Sequence, residues 1–161
     1  MMINIGPICE PISGTVAFVR DGFHFVFENR QGGLDAGTML KFSTLVVEID
    51  GDDGKLQYPE GFLSMYEWVP RSFTKPDLID RRLYSDIIPM TGAAYPAENF
   101  SAGHGDFFPE YDADKNLLRL TREGVKPSQT AIQFCEGAAL GFQEKAVADL
   151  WIIDPLFRDT W

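Results

Sequence analysis

The sequence predicts an α+β, β-rich fold: a mainly antiparallel sheet or meander carrying one or two short helices, at about 60–69 and 75–87. Three observations lead there. The run from Thr130 to Pro155 is the most apolar part of the chain, and Glu136-Gly137 and Glu144-Lys145 break it into three β-rich pieces. An Asp21-Gly22 pair separates two runs rich in β-formers. In the middle third, apolar residues recur at helical spacing.

The first hairpin is expected from Thr15 to Arg20 and from Phe23 to Glu28, joined by a two-residue type I′ turn at Asp21-Gly22. Phe23, Phe25 and Phe27 then share one face, expected to be buried, with His24, Val26 and Glu28 on the other. The glycines of residues 29 to 37 mark a loop. Leu40 to Ile49 reads as one long or bulged strand, ended by Asp50-Gly51-Asp52-Asp53-Gly54. Lys55 to Tyr58 returns as its partner and is stopped by Pro59.

Phe62, Met65, Tyr66 and Val69 fall at i, i+3, i+4 and i+7, the spacing of a short helix. Thr74-Lys75-Pro76-Asp77 resembles a helix start, and Leu78, Ile79, Leu83 and Ile87 follow as one apolar stripe that Pro89 ends. Residues 91 to 106 have no periodicity and read as a long loop. Phe107 to Tyr111 and Leu117 to Thr121 form a second hairpin about the polar turn at 112–116. The last meander runs through Ala131 to Cys135, Ala139 to Gln143 and Val147 to Ile153. A helix over Phe142 to Trp151 is its rival, disfavoured by Gly141 and by the β-formers Trp-Ile-Ile.

A chain of 161 residues has the size of one domain, long enough to bury about 68–70 % of its unfolded surface without staples. Hydrophobic residues at 45 % and charged residues at 24 % are globular proportions, which argues against long disorder. Cys9 and Cys135 are too few for a disulfide framework. The N-terminus lacks the basic and apolar regions of a signal peptide, and no segment has the length of a membrane span, so a cytoplasmic protein is expected. The net charge of −10 disfavours direct contact with nucleic acid or anionic membranes and speeds encounter with basic partners. The same charge also serves solubility.

Catalytic signals are sparse. Ser101, His104 and Asp106 are the ingredients of an activated nucleophile, but six positions of a Gly-rich loop bring such residues together by chance, and no Gly-x-Ser-x-Gly elbow is present. Asp112, Asp114, Asn116 and Glu123 match four ligand positions of a calcium loop, yet Leu117 stands where the sharp turn needs glycine. His24, His104, Cys9 and Cys135 lack the local pairing of a zinc site. Phosphate-binding glycine motifs are missing, and neither cofactor nor metal is expected.

The expected function is therefore a small acidic protein-binding module that inhibits or scaffolds a basic protein partner. A bacterial immunity protein neutralising a toxin nuclease is an example. The contact residues would be Asp50, Asp52, Asp53, Asp112 and Asp114 on turns, with Tyr66 or Trp68 as aromatic anchors. The alternatives are a small-ligand or hydrolase-type enzyme with a cleft at 91–106, using His104 as base and Asp106 to orient it, and a structural or assembly subunit.

Overall fold

The computed structural model describes residues 2–28, 36–86, 93–97 and 101–160. In chain order the strands are β1 (Ile3–Ile8), β2 (Thr15–Val19), β3 (His24–Glu28), β4 (Ala36–Phe42), β5 (Leu45–Asp50), β6 (Leu56–Phe62), β7 (Val69–Pro70) and β8 (Asp77–Ser85). They continue as β9 (Ala93–Pro96), β10 (His104–Asp112), β11 (Leu117–Glu123), β12 (Thr130–Cys135), β13 (Ala138–Gln143), β14 (Ala146–Ile153) and β15 (Leu156–Arg158). One sheet has the order β1-β8-β12-β13-β14-β11-β10-β7 and the other β15-β2-β3-β6-β5-β4-β9. Their inner faces share one core, in which Phe18, Phe25, Leu40 and Leu56 of one sheet join Leu118, Leu120, Leu150 and Ile152 of the other.

The expected meander is present: β12, β13 and β14 pair antiparallel in succession. The polar breaks become two-residue turns, with φ at 80° for Gly137 and 57° for Glu144. The rival helix does not form, since Phe142 pairs with Val147 across the second of these turns. The chain beyond its first residue makes β14 buried on both faces. One face meets the shared core, and the other lies beneath the connections at 71–76 and 124–129. That double coverage explains the apolar run, broken only by Asp149, because alternation is lost when both faces of a strand leave water.

Both expected helices are absent, and the fold is a two-sheet all-β structure. Over 60–69 the chain completes β6 and makes a 3₁₀ turn at Met65–Glu67. The supposed core stripe is largely in water, with Phe62, Tyr66 and Val69 exposed, while Leu63 and Trp68 are buried. Pro59 and Pro70 also bound the segment too closely for a stable helix. Over 75–87 the chain forms β8, antiparallel to β1 and parallel to β12. Two neighbours satisfy its backbone and override a local helical preference worth only tenths of a kcal/mol per residue. Ile87 lies outside the described residues.

Other expectations change in detail. The Asp21-Gly22 turn is a four-residue connection between Val19 and His24, with positive φ at Gly22 (92°) and Phe23 (53°) in place of a two-residue type I′ turn. Phe25 and Phe27 are buried as expected, whereas Phe23 sits in the turn, partly exposed. Leu40 to Ile49 is two strands, since Ser43 adopts a φ of 59° and Phe42 pairs with Leu45. β6 runs past Pro59 to Phe62. It pairs with β3 only at Gly61 and Phe62, and partial pairing of that kind tolerates a missing N–H. Within 91–106, β9 adds in parallel to β4 and β10 begins at His104; residues 91, 92 and 98–100 lie outside the described residues. No helix among the described residues is long and apolar enough to cross a membrane.

Candidate functional site

Two places stand out chemically: a buried charge network on the outer face of the eight-stranded sheet, and an exposed aromatic corner at the end of the other. The network begins with alternation. Glu110, Arg119 and Trp151 stand in one register row across β10, β11 and β14, and all point away from the shared core together with Asp149, two residues along β14.

Arg119 is 1 % exposed. Its Nε donates to Asp149 Oδ2 at 3.0 Å, its Nη1 to Glu110 Oε2 at 2.9 Å and its Nη2 to the Val125 carbonyl at 3.0 Å. Asp149 also accepts from the Ser128 N–H at 3.1 Å and from Trp151 Nε1 at 2.7 Å. Glu110 turns its other oxygen to Arg71 Nη1 at 2.8 Å, so two cations meet two carboxylates. Balance of this sort is what permits charges to leave water. Gly141 belongs to the same design: a Cβ there would lie 1.9 Å from Asp149 Oδ1 and 2.2 Å from Ser128 Oγ. The network ties the 71–76 and 124–129 connections to the sheet and covers the row beneath them, where Phe73 meets Trp151 edge-on at 5.3 Å. Its charged groups are paired with one another and with the backbone of the covering connections, which makes it a structural clamp.

The aromatic corner is built from the β2–β3 turn and the end of β6. The Leu63 N–H donates to the Phe23 carbonyl at 2.9 Å, and Thr44 Oγ1 donates to the Phe62 carbonyl at 2.5 Å. These bonds join the β2–β3 turn and the β4–β5 turn to the end of β6, where three rings meet. Phe23 lies 6.1 Å from Phe62 at 80° and 5.5 Å from Tyr66 at 70°, both edge-to-face, and the His24 ring lies 5.9 Å from Phe62. Tyr66 is 89 % exposed and Phe62 41 %. Asp21 and Glu67 are exposed beside Phe23 and Tyr66 in the chain, and Glu60 precedes Phe62 by two residues on β6.

The residues singled out in the sequence fall at several separate places. Trp68 is 9 % exposed and packs on Phe18 and Tyr111 at 5.0 and 4.9 Å. Asp112 is buried, with Oδ2 accepting from the Phe73 N–H at 3.0 Å and from Lys115 Nζ at 3.3 Å. These hydrogen bonds, that from Phe73 foremost, hold its carboxyl below the ordinary aspartate value. Asp50 closes its own turn by accepting from the Asp52 N–H at 2.8 Å. At Asp53 partial burial opposes ionisation, but hydrogen bonds from Lys55 and its charge outweigh it and lower the pKa. Asp52 and Asp114 are exposed.

The two acidic turns are not neighbours. Gly54 accepts from the Ser85 N–H at the end of β8, whereas Asp112 ends β10. Five strand spacings separate β8 from β10, roughly 24 Å along the sheet at 4.8 Å each. Tyr66 follows the far end of β6, and the Asp50–Asp53 turn precedes its start.

Ser101 and His104 are engaged apart. Ser101 Oγ donates to the Ala97 carbonyl at 2.6 Å, and His104 Nε2 lies 3.7 Å from Glu123, both exposed. His104 lines a shallow depression of about 360 Å³ with Glu123 and Glu144, while Asp106 lines another with Lys41 and Thr44. The calcium pattern does not converge: Asn116 bonds Tyr111 and Pro155, and Glu123 stands at the opposite end of β11. Among the described residues no group of three His, Cys, Asp or Glu is placed to hold a metal. Burial pushes the Cys135 thiol well above its ordinary value, which keeps it unreactive.

Sequence reasoning passed over the clamp and did not combine the three rings. An aspartate inside the apolar run of β14 and an arginine inside Leu-Leu-Arg-Leu were the available signals for the clamp. For the corner, Tyr66 was expected as an anchor and Phe62 lies four residues before it, but Phe23 is too distant in the chain for the three to be joined from sequence. Neither a protein-family model nor a curated protein sequence matches this chain.

Proposed function

We propose that the protein is an acidic protein-binding module whose contact surface is centred on Tyr66 and Phe62 and whose partner is a basic protein. The observation that carries the reading is Tyr66, a ring 89 % exposed on a 3₁₀ turn. An exposed aromatic cluster contributes little to the free chain but becomes an anchor once a partner covers it. Asp21, Glu60 and Glu67 lie within two residues of the rings in the chain and supply negative charge there, and the net charge of −10 attracts a basic surface from a distance. Inhibition of a toxin nuclease, whose lysines and arginines otherwise hold phosphates, is the kind of role such a surface serves.

The decisive experiment is affinity capture from the native host with the whole chain as bait, followed by mass spectrometry. A basic partner is expected, released by salt and lost from Tyr66→Ala bait. Recovery of no basic partner, or of a complex indifferent to both, would sink the reading.

A further inference from the structure

We infer that the corner formed by Phe23, Phe62 and Tyr66 is a receptor for an arginine side chain of the partner; this rests on the acidic-module reading. The argument is from ring geometry and charge. Phe23 meets its two neighbours at 80° and 70°, so the corner presents ring faces in more than one plane, and the face of an aromatic ring is the negative pole of its quadrupole. At 89 % exposure, Tyr66 offers ring face to water. Glu67 adjoins it in the same 3₁₀ turn, and Asp21 and Glu60 each stand two residues before Phe23 and Phe62 in the chain. Their carboxylates would accept from the N–H edge of a cation lying on a ring.

A guanidinium suits this combination better than an ammonium. It is planar, stacks on a ring and still donates in its own plane to a carboxylate. The chain uses that chemistry within itself: Arg20 lies 5.4 Å from the Phe157 centroid, and Arg119 and Arg122 each lie 5.9 Å from those of Trp151 and Phe107. The specificity expected of the corner is therefore arginine over lysine, and either over a neutral side chain of the same shape.

The test uses the full chain with a hexa-arginine peptide, its citrulline counterpart and hexa-lysine, read by NMR and by affinity at low salt. The arginine δ protons should shift upfield as they enter the shielding zone of the rings. Tyr66→Ala should abolish that shift and weaken binding about tenfold, the scale of one cation–π contact, and Tyr66→Phe should restore both. The citrulline peptide should not bind. If the arginine peptide binds but Tyr66→Ala changes neither shift nor affinity, the corner is not the receptor while the acidic-module reading stands. If it fails to bind at all, that reading falls and this inference with it. Hexa-lysine or the citrulline peptide matching it in affinity and shift would overturn the guanidinium assignment.

Discussion

Tyr66 and Trp68 are two positions apart and meet opposite environments: the first projects into water, and the second packs on four aromatic rings of the shared core. Composition treats them alike, so only their surroundings distinguish anchor from core. Trp68→Ala should destabilise the protein by about 3–5 kcal/mol, whereas Tyr66→Ala should stay within about 0.5 kcal/mol; urea denaturation of both variants measures the contrast. A larger loss at Tyr66 would mean that the corner is structural. Gly141 is also legible only in three dimensions. The sequence reads it as an obstacle to a helix, but its lack of a Cβ is what admits Asp149 and Ser128 over β13. Removing Asp149 leaves the buried Arg119 with Glu110 as its one carboxylate, which Arg71 shares, so Asp149→Ala should cost about 3–5 kcal/mol in the same assay. A loss below about 1 kcal/mol would show that water reaches Arg119.

Strands whose partners are near in sequence follow from local pattern. β2–β3, β10–β11 and β12–β13–β14 are joined by short connections rich in Gly, Asp, Asn or Glu, and alternation or continuous hydrophobicity marks their strands. β8 defeats that reasoning because its partners are β1 and the parallel β12, both distant. The 71–76 connection, which carries the chain from β7 to β8, is likewise invisible in the sequence, and its attachment can be tested by pH. Asp112 binds the Phe73 N–H and its carboxyl lies below the ordinary value. A carboxylate with a lowered folded pKa adds stability above its unfolded pKa of about 3.9 and loses it as pH falls through the folded value. The protection of the Phe73 amide, its exchange rate compared with that of an unstructured amide at the same pH, should therefore fall as the solution is acidified below about pH 4. Asp112→Asn should weaken Phe73 protection already at neutral pH and remove most of its acid dependence. A Phe73 amide equally protected in both proteins at neutral pH would show that the bond does not hold the connection.

For the whole molecule, the charge of −10 was legible from the first line, but not its distribution. The acidic turns stand apart, so a partner should feel a broad field rather than one carboxylate cluster. Association with a basic partner should slow as ionic strength rises, since the screening length falls to about 8 Å at 0.15 M. Asp52→Lys combined with Asp114→Lys should slow association more than it speeds dissociation; stopped-flow measurement over a salt series separates the two rates. An association rate unaffected by salt would remove the steering role. Taken alone, the sequence determined that the chain is β-rich, that it turns at Glu136-Gly137, Glu144-Lys145 and 112–116, and that its surface is acidic. Turn chemistry, side-chain period and charge act over a few residues or through simple sums. The tertiary structure decided that 75–87 is a strand, that Arg119 and Asp149 share a clamp, and that Phe23, Phe62 and Tyr66 form one corner. Each of these depends on partners brought together from distant parts of the chain, where pairing and burial outweigh local preference.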